Sequence, residues 1–131
     1  MKSRDTLIRL KRFQVDEKRR RVAQIEAMIA EFVRMAADLD REILAEEQRA
    51  GISDPSHFAY PTYARAARTR RDNLKNSTAE LRGQLEEARA RLEEAIAEHA
   101  KVQTLDGREK GSLADTVREP LHLGSLGIAR A

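Results

Sequence analysis

The chain has 131 residues, of which 36% are charged and 4% aromatic, with a formal net charge of +3 and no cysteine. So few large apolar side chains exclude an extensive globular core. The lack of thiols excludes a disulfide framework, a sulfur metal site and a cysteine nucleophile. No apolar run approaches the roughly 18 residues that span a bilayer, and no apolar leader stands at the start, so a soluble, cytoplasmic protein is expected.

The first predicted element is a helix over about 3–50, with Ser3 or Asp5 as candidate N-cap and neither Gly nor Pro before Gly51. Val22, Ile25, Ile29, Phe32, Ala36, Leu39 and Ile43 recur at alternating spacings of three and four. An average of about 3.5 keeps one narrow apolar line facing a partner helix, as in a coiled coil. The line runs back through Lys18, Val15 and Lys11 to Ile8. Beside it, Leu7, Leu10 and Phe13 widen the apolar surface at the start of the helix, more than a two-helix pair needs.

Residues 51–61 read as a turn. Gly51 suits the position after a helix C-terminus, where positive φ costs little without a Cβ. Asp54 before Pro55 reads as an N-cap followed by a first-turn proline, which predicts a short helix over about 55–60. Three of the five aromatics, Phe58, Tyr60 and Tyr63, cluster here. They serve either as a cap on the apolar line or as an anchor for a partner.

A second helix is predicted over about 62–106. Ala64, Ala67, Arg71, Leu74, Thr78, Leu81, Leu85, Ala88, Leu92, Ala95, His99 and Val102 repeat the three–four spacing. Gly107 and Gly111 are the expected stop, and the stretch 112–131, punctuated by Pro120, Gly124 and Gly127, is expected to be a flexible tail.

Charge selects how the two lines pair. Residues 1–21 hold nine Lys or Arg against three acids, and 22–50 hold three against seven. Residues 65–75 hold five against one, and 76–100 three against six. Folding back about residue 55 sets the acidic 22–50 segment beside basic 65–75 and the basic 9–21 segment beside acidic 86–98, whereas parallel pairing of two chains sets like beside like. The expected fold is therefore all-α, an antiparallel two-helix coiled-coil hairpin over 1–111 with a short turn helix and a flexible tail.

Chemistry finds little purchase. His57, His99 and His122 have no mutual spacing of three or four, so no metal site is expected, and no cofactor either. A two-helix hairpin offers no cavity to desolvate a carboxylate, and Gly107–Gly111 lacks a phosphate-loop pattern, so an enzyme is not expected. The basic start, with Arg9, Lys11, Arg12 and Lys18 followed by Arg19, Arg20 and Arg21, leaves three readings open: a solvated or internally paired face, a protein-binding face, or a nucleic-acid contact.

The run Leu7-Ile8-Arg9-Leu10-Lys11-Arg12-Phe13, the following Val15-Asp16-Glu17-Lys18-Arg19-Arg20, and the turn from Gly51 through Tyr63 resemble the flagellar FliJ family, coiled-coil proteins of the type III export apparatus. The resemblance covers about residues 1–106. It implies a non-enzymatic, stalk-like coiled coil that inserts into the hexameric export ATPase and activates it. It further implies contacts to the membrane export gate and to export chaperones, and a cytoplasmic location peripheral at the inner membrane. Carried onto this sequence, Arg9, Lys11, Arg12, Phe13 and Lys18 are the candidate ring-binding residues. Phe58, Tyr60 and Tyr63 are candidates for a partner contact at the turn, such as the gate. The expected stop near Gly107 departs from the family, whose second helix continues. On the residues alone, a generic coiled-coil adaptor and a basic-helix nucleic-acid binder remain open.

Overall fold

A computed structural model describes the backbone of residues 2–130 and the side chains of residues 3–109 and 111. It holds two helices, α1 (Lys2–Ala50) and α2 (Thr62–Arg130). They pack against each other as an all-helical hairpin. Contacts divide the chain into two compact units, Lys18–Arg91 and Met1–Glu17 with Leu92–Ala131.

In the Lys18–Arg91 unit the two lines read from the sequence form the core. Ile25 is 1% exposed and packs with Leu81, Leu85 and Ala88, flanked by half-buried Val22, Ile29 and Phe32. Nearer the turn, Leu39, Ile43 and Ala67 form a second cluster with Leu74 against it. Thr78 is buried in line with these, and its hydroxyl donates to the Leu74 carbonyl at 2.8 Å. That bond within the helix satisfies the hydroxyl, which is how a polar residue occupies a core position cheaply. Ion pairs of Glu47 with Arg68, Asp40 with Arg71 and Glu26 with Arg89 fix the antiparallel direction. Exposed pairs of this kind contribute about 0–1 kcal/mol each, so they select the register more than they stabilise it.

α1 ends as expected. Gly51 has φ of 70°, and the N–H groups of Gly51 and Ile52 both donate to the Glu47 carbonyl, at 2.8 and 3.2 Å. The predicted short helix over 55–60 is not formed. Two successive turns replace it, closed by His57 N–H to the Asp54 carbonyl (3.1 Å) and Tyr60 N–H to the His57 carbonyl (3.0 Å). Asp54 acts within the turn, its Oδ1 accepting from the Ser56 N–H and hydroxyl at 3.0 and 2.8 Å. That side-chain turn competes with helix propagation. Both Ser56 bonds hold the Asp54 carboxyl below its ordinary pKa.

In the other unit Val15 and Ala95 are buried, with Ile8, Leu92, His99 and Val102 half-buried along the same two lines. Lys11 pairs with Glu98 at 2.8 Å. Arg4 donates to the Leu105 carbonyl at 3.3 Å and pairs with Glu109. These contacts lie on both sides of Gly107, and the predicted helix end near residue 106 is overturned: α2 continues to Arg130. Neither Gly107 nor Gly111 adopts the positive φ that ends α1 at Gly51. A helical glycine costs only about 1 kcal/mol against alanine, which a neighbouring contact offsets. The expectation of a flexible tail over 112–131 falls where side chains lie outside the described residues. No described helix is long and apolar enough to cross a membrane.

Candidate functional site

Two stretches carry the residues singled out from sequence. In the unit containing Met1–Glu17, the apolar line of α1 is turned to α2, which leaves the rest of its circumference to solvent. Leu7, Leu10 and Phe13 lie there, about half exposed, although each is an apolar residue the hairpin core does not use. Arg9 and Arg12 are exposed among them and make no ion pair with a described side chain. Lys11 differs. It sits half-buried on the apolar line, its stem covered and its ammonium held by Glu98. The same hydrogen bond and charge lower the Glu98 pKa below the ordinary carboxylate range. Lys11 is thus committed within the hairpin, whereas Arg9, Arg12 and Phe13 present themselves outward. Lys18 belongs to the other unit, half-buried on the same line of α1, and Arg19, Arg20 and Arg21 beside it are exposed without an ion pair to a described side chain.

At the turn the three aromatics separate. Tyr60 is 4% exposed, and its hydroxyl donates to Glu47 Oε2 at 2.7 Å. The guanidinium of Arg65 stands over its ring, 5.4 Å from the centroid. Burial, then the bond to Glu47, raises the Tyr60 pKa. The expectation that Tyr60 is a partner anchor is therefore corrected: it closes the end of the hairpin core, because the turn folds it back over Glu47. Phe58 is 95% exposed and stacks on His57 at 4.8 Å. His57 Nδ1 in turn accepts from the Ala59 N–H at 3.0 Å. Tyr63 is about half exposed, with its pKa raised by the negative charge of Glu42 and by a hydrogen bond to it. The turn thus brings Phe58 and Tyr63, but not Tyr60, to the surface.

A third feature escaped the sequence reading. In the Lys18–Arg91 unit, the residue four after every second core position flanks the helix–helix contact. On α2 these flanking residues are Arg68, Lys75, Arg82 and Arg89, all basic. On α1 they are Glu26, Val33, Asp40 and Glu47, acidic with one exception. Glu47 meets Arg68 at 3.5 Å and Glu26 meets Arg89 at 3.2 Å. Asp40 is taken by Arg71 at 2.9 Å, and this bond raises the Arg71 pKa. Val33 and Arg82 border the same groove, and there the ladder has no acid. Reading the two flanks position by position, once the antiparallel register is known, exposes the gap.

No cluster of three or more His, Asp or Glu suited to a metal ion occurs among the described residues. Compared with known proteins, the chain matches no family model, no curated protein and no solved structure.

Proposed function

We propose that this protein is a non-enzymatic, stalk-like coiled coil of a flagellar type III export apparatus. In this reading it works in the cytoplasm at the inner membrane, engages the export ATPase ring through the start of α1 and stimulates it, and links it to export gate and chaperones. The observation that carries a binding role is the outward placement of Leu7, Leu10 and Phe13 beside Arg9 and Arg12, which make no ion pair with a described side chain. Exposed apolar side chains among cations that no described acid pairs with suit a protein surface carrying apolar pockets and acids. The choice of that partner rests on the resemblance of residues 7–20 and of the turn to the FliJ family.

ATP turnover by the cognate export ATPase, with and without this protein, tests the reading. The variant is Arg9→Glu/Arg12→Glu, which leaves the Lys11–Glu98 pair in place. Saturable stimulation by the wild type that the variant loses, with unchanged helical content, supports the stalk. Absence of stimulation at saturating protein sinks it. Exposed Arg19, Arg20 and Arg21 favour one other reading, a nucleic-acid contact, for which binding to unrelated DNA would fall steeply with salt.

A further inference from the structure

The gap in the flanking ladder lies over a groove. Its cavity volume is about 520 Å³, and its lining joins the apolar Val33, Ala36, Ala37 and Ala79 to the charged Asp40, Lys75 and Arg82. A second cavity of about 430 Å³, bordered by Ile29, Leu85, Glu86 and Arg89, continues from Arg82 along the same flank. Small side chains make the recess. The hairpin could close it with a longer residue at either exposed alanine, Ala37 or Ala79, and does not.

Charge makes the recess unusual. Every other rung places an acid of α1 against a base of α2 or within reach of one. At the remaining rung α1 carries Val33, which is 46% exposed. Arg82 and Lys75 make no ion pair with a described side chain: Asp40 at the groove is held by Arg71, and Glu86, one turn on from Arg82, borders the second cavity without pairing to it. A glutamate at position 33 would propagate the helix better than a β-branched residue and would face Arg82. Where a sequence gives up a locally favourable choice and leaves an apolar recess beside two cations that no described acid pairs with, the missing groups are expected from outside.

We propose that this groove docks an acidic amphipathic helix of a partner protein. Lys75 and Arg82 are seven residues apart, about 10.5 Å along the axis of α2. A helix lying along the groove repeats the same distance between its own residues i and i+7. Two carboxylates with that spacing meet both cations, and an apolar side chain midway between them enters the alanine-lined recess. The mode is a helix laid in a groove, with the recess supplying burial and the cations supplying orientation. The inference does not rest on the export-stalk reading, which concerns the start of α1.

The test uses the full-length chain and a labelled synthetic helical peptide of roughly 18 residues, long enough to hold helix when docked. It carries Glu at two positions seven apart with Leu midway; a control carries Gln at both. Fluorescence anisotropy is expected to show saturable binding of the Glu peptide and binding of the control at least about tenfold weaker. Val33→Glu, which fills the rung from within, is expected to weaken binding by at least about tenfold while melting no lower than the wild type. Arg82→Glu is expected to weaken it comparably. No saturable binding, equal binding of the Gln peptide, or unchanged binding by Val33→Glu each overturns the proposal. A dimer in sedimentation velocity that Val33→Glu dissolves assigns the groove to a second copy of the chain and overturns it as well. Stimulation of an export ATPase is expected to survive Val33→Glu, so the two readings fail separately.

Discussion

Ile25→Ala probes the coiled-coil core at its largest fully buried side chain. Ile25 is 1% exposed and is surrounded by Leu81, Leu85 and Ala88, with Val22, Ile29 and Phe32 packed around them. The substitution removes three carbons, worth about 2.5 kcal/mol at about 0.8 kcal/mol per buried methylene. A closed core would add a substantial cavity penalty. A hairpin core is one layer deep, so neighbouring side chains and water take up part of the space, and a total near 3 kcal/mol is expected. With about 4–8 °C lost per kcal/mol for a small domain, the melting midpoint should fall by about 12–24 °C. Circular dichroism at 222 nm during thermal and urea unfolding measures both. Met28→Ala is the control, three residues along the same helix but 43% exposed, and it should cost less than about 1 kcal/mol. Equal losses from the two variants, or an Ile25→Ala loss under about 1 kcal/mol, would refute the assignment of this line as the core.

His99 stands on the α2 line with its Nε2 buried and without a hydrogen-bond partner among the described residues. His99→Leu removes that cost and should stabilise the hairpin by about 1 kcal/mol, read as a higher urea midpoint at unchanged slope. Gly51→Ala forces a Cβ into the left-handed backbone at φ 70° and should cost about 1–2 kcal/mol, with Gly51→Asn costing less. For Glu98, the pKa held low by Lys11 in the folded chain makes its contribution present above the ordinary carboxylate range and lost as pH falls through the depressed value. Lys11→Met should return the Glu98 titration, followed by carboxyl NMR, to the ordinary range; an unmoved titration would show that the pair is not the cause.

The periodic features are legible without a structure because they depend on one helix at a time. The spacing that names Ile25, Ala36, Leu39 and Ile43 on α1, and Ala64, Ala67, Leu81, Leu85 and Ala88 on α2, names residues the fold buries. Gly51 ends α1 as a glycine with a cheap positive φ should. The segregation of charge selects the antiparallel alignment, since only that alignment sets the acidic 22–50 segment beside basic 65–75 and the basic start of α1 beside acidic 86–98.

What required the tertiary structure depends on which atoms the second helix brings up. Tyr60 and Phe58 look alike in sequence, yet one is folded over Glu47 and the other stands in solvent. The Asp54 side-chain turn displaces the expected short helix, and contacts from Arg4 carry α2 past Gly107. Lys11 reads as one cation among many until Glu98 is placed against it. The recess at Val33 follows the same rule. Val33 is an ordinary helix residue until register sets Arg82 in the same groove and shows that, among the described residues, α1 offers Arg82 no acid at that rung. Period and charge order are properties of a single strand of sequence, whereas pairing and vacancy are properties of two helices in register, fixed only when their side chains meet.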